Sequence, residues 1–179
     1  MNKTPSCQPH LECIWKQVSV SGCICKIAGR FSTAHRAIES LTPILTQNGN
    51  NIDINDVSET LSRLKGHFSF VIENTDWLLA VVDKSRSYPI FYSLPRTHGG
   101  EPMLAVSARG LQQAKDLTEP DPVNVLEFAM TGYVTGSGTL YQDLNQLRAG
   151  ELLLWDKKSG KVELFQYYRH FPGEQRQES

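Results

Sequence analysis

Two short, almost wholly apolar segments separated by three polar residues constrain this chain more than any other feature. His67 to Glu73 and Trp77 to Val82 flank Asn74-Thr75-Asp76. Runs this rich in Phe, Val, Ile and Leu suit strands, and the polar triplet supplies turn chemistry. The pair reads as a β-hairpin. Neither strand alternates apolar with polar residues, so both faces are expected to be buried.

The flanking segments supply material to bury them. Ile14 to Val20 alternates, and Cys23 to Ile27 follows after Ser21-Gly22 as a second strand of a pair. Ser32-Thr33 is expected to cap a helix reaching about Gln47. Its Ala34, Ala37, Ile38, Leu41, Ile44 and Leu45 repeat at helical spacing, and Pro43 inside it either kinks or ends it. Asp53 or Asn55 caps a shorter helix with Val57, Leu61 and Leu64 on one face, and Gly66 stops it. After the hairpin, Pro89 to Leu94 and Met103 to Ser107 read as strands and Ala108 to Leu117 as a helix. Asp121-Pro122 starts a further helix that ends at Gly132. Glu151 to Asp156 and Lys161 to Tyr168 form a late strand pair around Lys157-Lys158-Ser159-Gly160. Hairpins outnumber βαβ units, so the fold class is α+β, with antiparallel sheets and helices packed on them. Residues 1–13 form an arm, 14–172 one domain and 173–179 a frayed tail.

Composition narrows the functional classes. The chain has 179 residues, 40% of them hydrophobic, and a formal charge of -1. That balance argues against a general nucleic-acid binder. The longest apolar run, Trp77 to Val82, is far below the ~20 residues of a membrane span. The polar start shows no secretory h-region, which implies a cytoplasmic protein with reduced thiols; the Asn2-Lys3-Thr4 sequon then has no meaning.

No phosphate loop, dinucleotide fingerprint, His-Glu-x-x-His or Gly-x-Ser-x-Gly is present. The glycines between Gly132 and Gly138 follow a helix rather than a strand and read as a surface loop. Asp83 and Arg86 read as a surface charge pair, with a functional ion pair as the alternative. His67 and Ser69 alternate on a strand, but no acid lies at a spacing that would complete a relay. Tyr167-Tyr168-Arg169-His170 reads as a strand end whose aromatics cover the core, or as a partner contact. Cys23 and Cys25 share one side of a strand. With Cys7, His10 and Cys13 they could offer soft ligands to Zn, although no paired ligand spacing exists and buried thiols are the plainer reading.

A set of segments together resembles one family. Arg63-Leu64-Lys65-Gly66-His67-Phe68-Ser69-Phe70 is similar to the L-x-G-x-F-(A/S)-F strand of the asparagine-synthetase-like class II glutamine amidotransferase domain. Asp83 through Arg86 and Pro89 to Tyr92 resembles its D-x-x-G/R-x-x-P-L-Y-Y turn. Ala105-Val106-Ser107 resembles its A-S-E segment. Glu127-Phe128 to Gly132-Tyr133-Val134, then Thr139-Leu140-Tyr141 and Leu147-Arg148-Ala149-Gly150, resembles F-x-x-x-G-Y-V followed by T-L-F and L-x-P-G. The pieces keep the family's order and cover about residues 63–156.

The resemblance implies an N-terminal-nucleophile hydrolase fold: two packed antiparallel sheets flanked by helices. It implies glutamine hydrolysis by an N-terminal Cys, with ammonia passed to an ATP-using domain that forms an amide. Here the functional positions depart from the family. Asn2 stands where the nucleophile is expected, so only trimming to Cys7 or Cys13 would expose an N-terminal thiol. Val20-Ser21-Gly22-Cys23-Ile24-Cys25-Lys26 resembles V-N-G-E-I-Y-N, whose last Asn helps form the oxyanion hole; Lys26 replaces it. The carboxylate-binding Arg and the amine-binding Asp have no clear counterpart. The synthetase's S-G-G-x-D-S loop is absent from these residues.

The resemblance thus implies a degenerate, non-catalytic domain without a cofactor, serving a separately encoded ATP-using, asparagine-synthetase-type subunit. Neither nucleic acid nor membrane is an expected partner. A glutaminase activated by trimming to Cys7 or Cys13, and a small thiol or zinc protein, are the alternatives.

Overall fold

The computed structural model describes residues 15–20, 23–29, 31–47, 52–96 and 100–170. The arm with Cys7, His10 and Cys13, Gly22 and the tail beyond residue 170 lie outside the described residues.

Six antiparallel strands form the larger sheet. β1 (Trp15–Val20) pairs with β2 (Cys23–Gly29), and β2 with β3 (Phe68–Glu73). β3 pairs with β4 (Trp77–Val82), β4 with β8 (Glu151–Asp156), and β8 with β9 (Val162–Gln166). Between β4 and β8 the chain leaves to build a second antiparallel sheet. Its order is β6 (Met103–Ala105), β5 (Phe91–Ser93), β7 (Asn145–Gln146). The helices are α1 (Phe31–Gln47), α2 (Ile54–Arg63), α3 (Ala108–Lys115) and α4 (Pro122–Thr131).

The layers follow from which side chains meet. Every residue of β3 and β4 is buried, the polar Ser69 and Glu73 of β3 included. One face of the large sheet, with Cys25, Ile27, Phe68, Phe70, Leu79 and Val81, packs on Ala37, Ile38 and Leu41 of α1 and on Val57 and Leu61 of α2. The opposite face, with Val71, Leu78, Ala80, Val82, Leu153 and Trp155, packs on Ile90, Tyr92 and Leu104 of the second sheet. That sheet's far side, with Phe91, Met103 and Ala105, receives Leu111 of α3. The order helices, sheet, sheet, helix is the α+β arrangement of two packed antiparallel sheets.

Several element bounds differ from the sequence expectation for identifiable reasons. β2 runs on to Gly29 because pairing with β3 continues through Ala28–Ser69 and Gly29–Phe68. α1 therefore begins at Phe31, and Ser32 and Thr33 lie inside its first turn. It continues through Pro43, where the Thr42 hydroxyl donates to the Ile38 carbonyl at 2.8 Å. Asp53, not Asn55, caps α2, accepting the Asn55 N–H at 2.8 Å. That helix ends at Arg63 because Leu64 is already extended, two residues before Gly66. β6 stops at Ala105 because Ser107 turns to accept the Gly110 N–H and caps α3. α3 ends at Lys115, with Asp116 in the left-handed region. β9 ends at Gln166 because the N–H groups of Tyr167 and Tyr168 both turn to the Gly150 carbonyl, at 2.9 and 3.2 Å. Gly150 has φ +68°, and a Cβ there would lie 2.6 Å from the Tyr168 carbonyl oxygen, so the turn into β8 needs glycine. α4 matches expectation at both ends: Asp121 accepts from Val123 and Asn124, and Gly132 closes it at φ +81°.

Candidate functional site

Three of the sequence-marked positions, Phe68, Asp83 and Gly150, meet at the end of the large sheet where β3, β4 and β8 come together. Asp83 follows β4 and is buried. Its Oδ2 accepts the Phe68 N–H at 2.9 Å and its Oδ1 the Ser85 N–H at 2.6 Å, with Ser87 N–H more distant at 3.3 Å. Its own N–H donates to the Phe68 carbonyl, and its carbonyl accepts from Gly150. One side chain and its backbone thus join the starts of β3 and β8 to the end of β4. The expected surface pair with Arg86 does not form. Arg86 adopts φ +50° and sends Nη1 to Gln146 Oε1 at 2.5 Å, on the second sheet. Asp83 is satisfied by main-chain donors, so its burial does not depend on a cation.

Beside it, Glu151 is buried and accepts the Arg148 N–H at 2.7 Å, Nε at 3.1 Å and Nη2 at 2.8 Å. Hydrogen bonding and the adjacent charge of Glu151 hold the Arg148 guanidinium more firmly protonated. Burial, then the Glu151 charge, push the Tyr92 phenol up. Glu151 as the partner of Arg148 was missed from the sequence. The signal was a charged residue opening an otherwise apolar strand, three residues after an Arg. Gln146 was missed as well, because its strand is only two residues long.

The His67 and Ser69 alternation does not produce a catalytic pair. Ser69 is buried and donates to the Tyr88 carbonyl at 2.6 Å, while His67 Nδ1 lies 2.6 Å from Ser87 Oγ. The Asp83 carboxylate faces the Ser87 main chain rather than the His67 ring, so no acid–base–nucleophile relay is assembled.

Lys26 pairs in register with Val71, which places it on the face of the large sheet turned to the second sheet. Cys23 and Cys25 share the opposite face, toward α1 and α2, and Cys25 is fully buried. Burial pushes the Cys23 thiol up, the reverse of what a nucleophile or metal ligand requires. Among the described residues no group of three His, Cys, Asp or Glu side chains could hold a metal ion. Cys7, His10 and Cys13 lie outside those residues.

The other family-motif positions act on the backbone or in packing. Gly66 supplies φ +113° before β3. Phe68 is buried and stacks on Phe70 at 5.8 Å. Pro89 leads into β5, Ser107 caps α3 and Gly132 caps α4. Thr139 donates to the Leu144 carbonyl at 2.8 Å and accepts the Tyr141 N–H at 3.2 Å. At the C-terminal strand end, Tyr167 is buried and donates to the Val82 carbonyl at 2.7 Å, with burial raising its phenol. Lys84 Nζ sits 4.7 Å above the Tyr168 ring.

One surface stands apart. No residue of α4 is buried. Val123 is 72% exposed, Leu126 61% and Met130 77%, and Val125, Phe128 and Tyr133 are also exposed. The one charged side chain of the helix, Glu127, is turned to Thr135, accepting its hydroxyl at 2.7 Å and its N–H at 3.2 Å. The helix is anchored by Asn124, whose Nδ2 donates to the Thr139 carbonyl at 2.9 Å. No helix among the described residues is long and apolar enough to cross a membrane.

No family model matches the chain, and no curated protein matches it. Among solved structures it is similar to glutamine phosphoribosylpyrophosphate amidotransferase from B. subtilis complexed with ADP and GMP. That likeness has 14% identity and a TM-score of 0.44, over 85% of this chain and 31% of that one. A structure described as the allosteric regulatory enzyme of purine biosynthesis is similar at 15% identity and a TM-score of 0.44, over 85% of this chain and 30% of that one. The chain spans less than a third of either.

Proposed function

We propose that this chain is a non-catalytic, glutamine-amidotransferase-like module that docks through α4 on an ATP-using, asparagine-synthetase-type partner subunit. The observation that carries the reading is the uncovered apolar face of α4. Water-exposed Val, Leu, Phe, Met and Tyr concentrated on one capped helix and the loop after it mark an interaction site rather than scattered surface residues. With Glu127 engaged by Thr135, the helix presents no free charge to that interface.

The non-catalytic half of the reading is supported by the residues themselves. Lys26 stands at the position resembling the oxyanion-hole Asn, and a cationic side chain cannot reproduce a neutral amide donor without altering the charge of the site. The motif positions that do match, Gly66, Asp83, Ser107, Gly132, Thr139 and Gly150, are turns and caps, so what the chain retains of the pattern is scaffold.

Two measurements test this. After exposure to a glutamine-analogue electrophile, the intact protein is expected to keep its full mass, less at most the initiator Met, with no adduct. A mass beginning at Cys7 or Cys13 and carrying one adduct makes the chain a working glutaminase and overturns the reading. Co-expressed with an asparagine-synthetase-type subunit, the chain is expected to co-elute with it. The V123D/M130D pair is expected to abolish co-elution while leaving the thermal midpoint unchanged, because both positions are already exposed. Co-elution unaffected by the pair removes α4 from the interface.

A further inference from the structure

The second feature that the fold does not explain is an open groove of about 390 Å³ between α3 and the loop before β7. Ala108, Arg109 and Gln112 line one side, and Thr139, Leu140, Tyr141 and Leu144 the other. Its size falls within the range of small-molecule sites, about 300–1,000 Å³.

The chemistry of the lining is specific. Ala108, Leu140 and Leu144 give an apolar wall, and Leu144 is buried beneath it. Three polar residues are among those that line the same space: Arg109, Gln112 and Tyr141. None of the three has a side-chain hydrogen bond or ion pair among the described residues. Elsewhere in this region the polar side chains are engaged. Thr139 bonds the Leu144 carbonyl, Asn124 the Thr139 carbonyl, and Gln142 the Pro120 carbonyl. The nearest carboxylate in the loop, Asp143, is held by Arg96 Nε at 2.8 Å and Nη2 at 2.6 Å. The lining therefore includes one cationic residue without an ion pair among the described residues and two further polar residues beside an apolar wall, with no lining carboxylate.

We propose that this groove binds a small organic carboxylate with an apolar body. A guanidinium takes a carboxylate in a paired, charge-assisted contact, which sets the anionic end. The single cation and the apolar wall favour a carboxylate carrying hydrocarbon over a bare phosphate. The lack of a lining Asp or Glu disfavours a zwitterionic amino acid, whose ammonium would find no partner. The proposal does not depend on the docking reading, although Thr139 and Leu140 of the groove are bonded to Asn124 of α4 and to its cap Asp121.

The test is an amide-resolved NMR titration of the full chain with phenylacetate, phenylacetamide, phenylalanine and inorganic phosphate. Phenylacetate is expected to give saturable shifts confined to residues 108–112 and 139–144. The neutral amide and the zwitterion should bind at least about tenfold more weakly, a loss of ~1.4 kcal/mol. R109Q should produce a similar loss with an unchanged thermal midpoint, since Arg109 is exposed on α3; Y141F should weaken binding without abolishing it. No saturable shift with phenylacetate, equal binding of the amide, equal binding of phosphate, or an undiminished response in R109Q each overturns the proposal.

Discussion

Asp83 gathers several buried contacts on one side chain. It is a carboxylate whose partners are the main-chain N–H groups of Phe68, Ser85 and Ser87. Both oxygens face donors, so no rotation of an isosteric amide preserves the arrangement: an Asn here turns an NH₂ toward an N–H. Asp83→Asn is therefore expected to cost about 2–3 kcal/mol, the range for a buried hydrogen bond to a charged group with its partner left unsatisfied. Urea denaturation checks this, and a loss below about 0.5 kcal/mol, typical of a neutral surface site, would refute it. The burial of Asp83 was not legible because Lys84, Ser85 and Arg86 follow it, and a polar run after an apolar strand reads as a surface turn. Its partner at Phe68 lies fifteen residues back, and only the folded hairpin brings them together. Asp121, by contrast, was legible because its partners Val123 and Asn124 are two and three residues on. Where a side chain bonds its own neighbourhood, residue type and spacing suffice; where it bonds across the sheet, they do not.

At the level of elements the same division holds. β4, β8 and α4 came out at their expected bounds because run length and caps define them locally, whereas β3 starts one residue late, at Phe68. β7 was invisible because two residues carry no periodicity. α4 is the opposite case: its caps were legible, yet none of its residues is buried and the described residues supply no cover for its Val, Leu, Phe and Met. The turn between β8 and β9 shows how a short element is held from within. Asp156 accepts the Lys158 N–H at 2.8 Å and the Ser159 hydroxyl at 2.8 Å. The Ser159 hydroxyl, then these main-chain donors, hold its carboxyl below the usual range. A folded-state pKa lowered in this way contributes stability that is fully present above the unfolded-state value. That contribution is lost as pH falls through the lowered folded value. Asp156→Ala is thus expected to lower the thermal midpoint at pH 7, with the gap from the parent narrowing only as pH drops through the ordinary carboxylate range and below it. A gap that stays constant from pH 7 to strongly acidic conditions would mean that the ionised form is not what holds the turn.

For the whole molecule, the consequence of the layering is that β3 and β4 belong to two cores at once. Leu78 and Leu79 are neighbours in sequence and both fully buried, yet they point to opposite faces: Leu79 packs with the α1 and α2 core, and Leu78 with the second sheet. A strand covered on one side only would make one of these two positions tolerant. Here each truncation to Ala leaves a cavity in a packed layer, so Leu78→Ala and Leu79→Ala are each expected to cost about 2–5 kcal/mol. Because both layers share the same strands, each variant should still unfold in one cooperative transition followed by any spectroscopic probe. The continuous apolar runs made the double burial legible. They could not say that one cover is a pair of helices and the other a second sheet, because that depends on residues from β5 and β6 brought back across the hairpin. Equilibrium unfolding of the two variants separates the possibilities. A near-neutral Leu78→Ala would detach the second sheet from the folding core, and a near-neutral Leu79→Ala would detach α1 and α2. Matched losses would mean that the two sheets fold as one unit and cannot move independently.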